Sequence, residues 1–168
     1  VNSFVVTYNC KCVITRCTNN YGPRQFPEKL IPKIILYATK NKKIPMYGTG
    51  KNIRDWIHVS DHCDAIYQVL KKGKIGSSYN ISTDNEINNE IIIKKILSLM
   101  NKPEGMIEHV KDRPGHDFRY SMDSSKIKNE LGWFPKIKFD EGIENTIKWY
   151  LENKEWWENI PQESLIPK

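Results

Sequence analysis

The run Cys12-Val13-Ile14-Thr15-Arg16-Cys17-Thr18-Asn19-Asn20-Tyr21-Gly22-Pro23 changes character halfway along. Residues 12–18 are short and β-branched, which suits an extended strand. Asn19-Asn20-Tyr21-Gly22-Pro23 is turn chemistry, so the strand is expected to end there and run into a loop. Ligands of open α/β folds gather beyond the carboxyl ends of strands, which makes this loop a candidate site. The next segment carries Ile34, Ile35, Ala38 and Lys42 at helical spacing. With Pro32 tolerated in the first turn, a helix is predicted over residues 29–42.

The same alternation continues. Pro45-Met46-Tyr47 reads as a short strand closed by Gly48-Thr49-Gly50, and residues 53–59 read as another. Ser60 or Asp61 is predicted to cap a helix whose inward stripe is Ala65, Ile66, Val69 and Leu70, ending at Gly73 in the left-handed position. A strand over residues 78–82 precedes a helix from Asn88 or Asn89 with Ile92, Ile93, Ile96, Leu97 and Met100, stopped by Pro103. Residues 107–111 suit a strand. A short helix over residues 124–131 should end at Gly132. Asp140 is predicted to cap a last helix with Ile143, Ile147, Tyr150 and Leu151 inward. Strands interleaved with helices define an α/β unit, a small mixed sheet with flanking helices, within the size range of one domain.

The composition excludes several classes. Apolar runs such as Ile91 to Ile93 are far shorter than the ~20 residues of a membrane span. The net charge of +6 is spread over solvated helix ends, with no nucleic-acid-binding signature, so no nucleic-acid partner is expected. Cys10, Cys12 and Cys17 match neither zinc-ligand spacing nor a disulfide framework; free thiols in a reducing cytoplasm fit them better, and no metal is expected. No G-x-G-x-x-G or G-x-x-G-x-x-G run follows a strand, so this chain alone should not hold a dinucleotide well.

Three clusters could carry binding chemistry, and each reads in two ways. Asp112-Arg113-Pro114-Gly115-His116 places a cation, a rigid turn and a titratable ring together, as an anion site or as a surface turn with a local ion pair. Asn19 and Asn20 offer amides that both donate and accept, or they simply make a turn. Arg54 could clamp a phosphate through its planar fork or pair with Asp55.

Taken together, Asn19-Asn20-Tyr21-Gly22-Pro23, Phe26-Pro27-Glu28-Lys29-Leu30-Ile31-Pro32, Ile53-Arg54-Asp55-Trp56, Tyr79-Asn80-Ile81 and Asp112-Arg113-Pro114-Gly115-His116-Asp117 resemble, in order and spacing, the dTDP-glucose 4,6-dehydratases. Leu131-Gly132-Trp133, Gly142-Ile143 and Trp149-Tyr150 extend the resemblance over nearly the whole chain. The Tyr-Gly-Pro turn and the late helix are shared with sugar epimerases and decarboxylases, so a UDP-sugar enzyme of the same fold stays open, as does a stand-alone binding module. The F-P-E-K-L-I-P and D-R-P-G-H runs point to the dehydratases.

The resemblance implies that residues 1–168 form the substrate-binding portion of an extended short-chain dehydrogenase, with the last Rossmann-domain strand near residues 12–18 and the amino-terminal NAD-binding domain absent. It implies a nucleotide-sugar substrate, NAD held through the reaction, and a cytoplasmic, homodimeric parent. Asn19 would meet the substrate and Asn20 the nicotinamide side of NAD. Lys29 and Leu30 would contact the sugar-nucleotide, and Pro45, Met46 and Tyr47 would line the base and ribose pocket. Arg54 would meet the pyrophosphate with Asn89 nearby, while Asp112, Arg113, Pro114, Gly115 and His116 would wrap the nucleotide. The family's Tyr-x-x-x-Lys pair, active-site Thr and Asp-Glu pair lie upstream of Val1, so no catalytic residue is expected in this chain and no turnover from it alone.

Overall fold

One strand separates two hydrophobic cores and carries two residues of the candidate site. In a computed structural model, which describes residues 1–161, the chain begins with α1 (Asn2–Tyr8), β1 (Ile14–Cys17), β2 (Asn19–Tyr21), α2 (Leu30–Thr39), β3 (Ile44–Tyr47) and β4 (Ile53–His58). It continues through α3 (Val59–Lys72), β5 (Ser78–Ile81), β6 (Glu86–Asn88), α4 (Asn89–Leu99), β7 (Ile107–Val110) and β8 (Arg119–Tyr120). It ends in α5 (Ser125–Leu131), α6 (Phe139–Glu152) and α7 (Lys154–Glu158). Residues 162–168 of the expected unit lie outside the described residues.

The single mixed sheet expected from the sequence is split into three small ones. β1 pairs with β5 and β3 with β7, each in parallel. β4 is the hub of the third: β2 and β8 run parallel to it and β6 antiparallel. Successive side chains of a strand point to opposite faces, and β4 uses this. Trp56 packs into a core built from α2, α4 and α6, whereas Ile57 packs with Ala65, Val69, Tyr79, Ile81, Ile127 and Trp133. Ile34, Ile35 and Ala38 of the predicted pattern are fully buried together with Ile31, while Lys42 lies beyond α2, which ends at Thr39.

Several local expectations fail for identifiable reasons. β2 lies where a turn is predicted, because pairing Asn19 with Trp56 and Tyr21 with His58 overrides the weak strand preference of asparagine. The cap of α3 is His58, whose Nδ1 accepts from Ser60 N at 3.2 Å. Asp61 is spent elsewhere: its buried carboxylate accepts from the backbone of Lys136 and Ile137 at 3.1 and 2.9 Å, tying α3 to the approach of α6. Gly73 is extended, with φ −64°, and is needed because a Cβ there would strike the Val69 carbonyl. Gly132 does take the left-handed position at the end of α5, with φ +65°.

The inward line of α3 is Asp61, Ala65 and Val69; Ile66 and Leu70 sit about 100° round the helix, and Leu70 is 74% exposed. Leu151 likewise lies off the Ile143–Ile147–Tyr150 line and is 40% exposed. Asp140 does not cap α6; Lys138 holds that position, and Asp140 pairs with Lys95 of α4 at 2.8 Å.

Gly142 marks where α6 meets β2. A Cβ there would run into the hydroxyl end of buried Tyr21, 3.0 Å from Cζ. Alanine gains about 1 kcal/mol of helix propensity, but overpacking a fixed aromatic ring typically costs about 1–3 kcal/mol. Gly142→Ala is therefore expected to lower stability by about 1 kcal/mol in urea denaturation. A rise in the midpoint would show that Tyr21 yields freely.

Candidate functional site

β4 supplies the floor. Arg54 and Trp56 stand two residues apart and share its face, turned toward a cleft of about 610 Å³. The Arg54 guanidinium is oriented from below: Nη1 donates to the Ile53 carbonyl at 2.7 Å and Nη2 to the Asp117 carbonyl at 2.8 Å. Partial burial pulls its pKa down, nearby Asp117 raises it and Arg113 lowers it again.

The loop after β7 forms the second wall. The Asp112 carboxylate accepts from Arg113 N at 2.8 Å and meets His116 Nδ1 at 2.6 Å; His116 first and then the Arg113 N–H hold this carboxyl below its ordinary range. Gly115, at φ +65°, lets the loop turn back. The Arg113 guanidinium lies 5.6 Å from the centre of the Tyr47 ring, a cation–π contact that aims it over the end of β3. The loop is thus an ion-paired turn and also a wall of the cleft, so its two readings are compatible.

The cleft gathers ten of the predicted residues: Asn19, Asn20, Lys29, Leu30, Pro45, Tyr47, Arg54, Asn89, Arg113 and His116. Pro114 and Gly115 line an adjoining recess of about 510 Å³ that shares Tyr47, Arg54, Arg113 and His116. Two predicted residues lie elsewhere. The Met46 side chain turns into the core, 3% exposed, because alternation along β3 sends it opposite to Pro45 and Tyr47. Asp112 holds the loop from behind and lines neither cavity.

The two asparagines separate into different roles. Asn20 is tied down: Oδ1 meets His62 Nδ1 at 2.8 Å, and Nδ2 donates to the Thr18 carbonyl at 3.2 Å and to Cys17 Sγ at 3.3 Å. Burial pushes the His62 pKa down, which favours the neutral ring as the donor to that oxygen. Asn19 Oδ1, by contrast, is buried with no hydrogen-bond partner among the described residues.

Gln25, Glu28, Lys33 and Trp56 also line the cleft and escaped the sequence reading. Strand alternation from Arg54 could have found Trp56, and the helical repeat from Lys29 could have found Lys33. Lys33 is buried, and desolvation lowers its pKa while Glu28 raises it. Buried polar atoms normally find partners. Asn19 Oδ1, Gln25 Oε1, Trp56 Nε1 and Asn89 Oδ1 find none among the described residues, and all four belong to this one cleft. The site therefore offers cations for an anion and neutral polar atoms for a hydroxyl-rich group. Among the described residues no cluster of His, Cys, Asp and Glu could hold a metal, and no helix is long and apolar enough to cross a membrane.

This α/β scaffold with an anion-and-hydroxyl cleft matches a known class: residues 1–146 fit the family model described as GDP-mannose 4,6 dehydratase, and the chain belongs to that family. Within it, the chain is similar to dTDP-glucose 4,6-dehydratases. It is 49% identical to that of Escherichia coli, over 92% of this chain and 46% of that protein, and 46% identical to that of Neisseria meningitidis serogroup B, over 95% and 48%. The chain thus spans about half the length of the curated relatives it matches. Among solved structures, the Bacillus anthracis dTDP-glucose 4,6-dehydratase in complex with NAD superposes with a TM-score of 0.90 at 47% identity, covering 94% of this chain and 50% of that one. The Streptomyces venezuelae enzyme, with NAD and TDP bound, gives 0.91 at 41% identity over 94% and 49%. A UDP-glucose 4-epimerase from Thermotoga maritima gives 0.86 at 23% identity, a likeness of fold alone.

Proposed function

We propose that this chain is the substrate-binding half of an NAD-dependent dTDP-glucose 4,6-dehydratase, which takes dTDP-glucose to the 4-keto-6-deoxy sugar and water. The observation that carries this reading is the convergence of four unpartnered buried polar atoms with Arg54 and Arg113 on one cleft. Arg54 and Arg113 hold the diphosphate, Tyr47 and Pro45 flank the nucleoside, and Asn19, Gln25 and Asn89 meet sugar hydroxyls. The chain's share of the work is to bind and orient rather than to move protons. His116, the one histidine lining the cleft, is already paired with Asp112, which suits a positioning role.

An apolar recess of about 470 Å³ beside Asn20, with Tyr21, Pro23 and Val59 in its wall, suits the flat face of a nicotinamide, and these residues would form one side of the NAD site. When bound, NAD accepts and returns the hydride. The internal bonds of Asn20, together with the bond that Gln25 Nε2 donates to its carbonyl, would fix the shape of that wall. A parent working in the cytoplasm belongs to the same reading, supported by the four unpaired cysteines; a homodimeric parent belongs to it through the likeness to the dTDP-glucose 4,6-dehydratases alone.

Calorimetric titration with dTDP and with dTMP tests it. dTDP is expected to bind at one site, and dTMP roughly tenfold or more weaker, because removing one phosphate removes charge-assisted bonds. Absence of dTDP binding, or equal affinity for the two, would defeat the assignment.

A further inference from the structure

Resting on that reading, we propose that the Trp56 indole N–H donates to a hydroxyl of the bound sugar, making Trp56 a substrate-positioning residue that reads the sugar rather than the nucleotide. Trp56 is only 5% exposed, and its Nε1 is fully buried yet has no acceptor among the described residues. An indole nitrogen is a donor and nothing else, so no change of tautomer or flip can satisfy it. Leaving such a group unpaired in a core is costly, and Trp56 is one of the residues that line the cleft.

The chemistry of its neighbours selects the acceptor. Trp56 is paired in register with Asn19 on β2 and stands two residues from Arg54 on the same face. The other unpartnered atoms of the cleft, Asn19 Oδ1, Gln25 Oε1 and Asn89 Oδ1, are all acceptors. A phosphate oxygen could take the indole proton, but it has no proton to give to those three. A hydroxyl does both, accepting from Trp56 while donating to an amide oxygen. One orphaned donor among three orphaned acceptors is the complement of a polyol.

The test compares dTDP-glucose with dTDP on this chain. In nitrogen–proton correlation spectra, the indole resonance assigned to Trp56 is expected to move on adding dTDP-glucose and to stay in place with dTDP. Trp56→Phe, which keeps an aromatic ring in the core but removes the donor together with the volume of the second ring, is expected to weaken dTDP-glucose binding roughly five- to tenfold. It should leave dTDP binding unchanged. An indole resonance that moves equally with both ligands, or with neither while both bind, overturns the proposal, as does a folded Trp56→Phe chain with undiminished affinity for dTDP-glucose. The spectrum of the unaltered chain decides the matter even if the variant fails to fold. Failure of the unaltered chain to bind either ligand brings down the functional reading and this inference together, whereas binding with a silent Trp56 removes this inference alone.

Discussion

Arg54→Ala is expected to weaken dTDP binding roughly ten- to a hundredfold, the loss of about 1.5–3 kcal/mol that accompanies a charge-assisted bond to an anion. The size follows from how the side chain is held. Two backbone carbonyls, of Ile53 and Asp117, fix the guanidinium before any ligand arrives, so little side-chain entropy remains to be lost on binding. The same bonds connect β4 to the segment at residues 117 and 118, where Ile53 N also donates to the Phe118 carbonyl at 2.7 Å. Removing Arg54 thus loosens the Asp112–His116 wall as well as deleting a cation. Arg54→Lys should recover only part of the affinity, because an ammonium cannot bond two carbonyls and still present a fork to phosphate. Arg113→Ala should cost less, since that guanidinium rests on the face of Tyr47 in an exposed loop. In a complete dehydratase of the kind proposed, both changes should raise KM more than they lower kcat, because the diphosphate would keep its charge through the reaction. Unchanged calorimetric affinity of Arg54→Ala for dTDP would remove Arg54 from the diphosphate site.

What the sequence made legible, and what it hid, divides along the range of the interactions involved. The buried stripes of α2 and α4 were readable because helical periodicity is local, and the strands at residues 44–47 and 78–81 because β-branched and aromatic residues cluster there. β2, β6 and β8 were not, since each is two or three residues long and exists only through its pairing with β4. Ile66 and Leu70 misled for the opposite reason. An apolar residue on a helix need not face its own domain's core, and only the packing of Asp61, Ala65 and Val69 decides which line turns inward. At the site, charged and amide residues drew attention by type. Trp56 and Gln25 did not, because a tryptophan beside a strand's apolar residues reads as core until its nitrogen is seen to lack a partner.

Asp55 tests whether β4 is the keystone this arrangement requires. Its fully buried carboxylate accepts from Thr83 N at 3.3 and 3.2 Å, Thr83 Oγ1 at 2.5 Å and Asp84 N at 3.0 Å, pinning the turn after β5 beside the strand that carries Arg54 and Trp56. Asp55→Ala leaves two backbone donors stranded and is expected to lower stability by about 3 kcal/mol. Asp55→Asn, which keeps one accepting oxygen, should cost less. The pH dependence has a definite sign. Burial raises the Asp55 pKa above its ordinary 3.8, and the bonds from Thr83 and Asp84 offset that only in part. A raised folded-state value means the native chain holds its proton longer than the unfolded chain does. The resulting stabilisation is complete below 3.8 and is lost as pH climbs through the raised value. The unaltered chain should therefore lead Asp55→Asn by a wider margin in acid than at neutrality, a comparison that cancels the titration of every other carboxyl. Urea denaturation of both chains across that window measures it. A margin that widens toward neutral pH would mean that the hydrogen bonds outweigh burial and that Asp55 is held as a carboxylate. A cost for Asp55→Ala within experimental error would mean that β4 is anchored by its sheet neighbours alone.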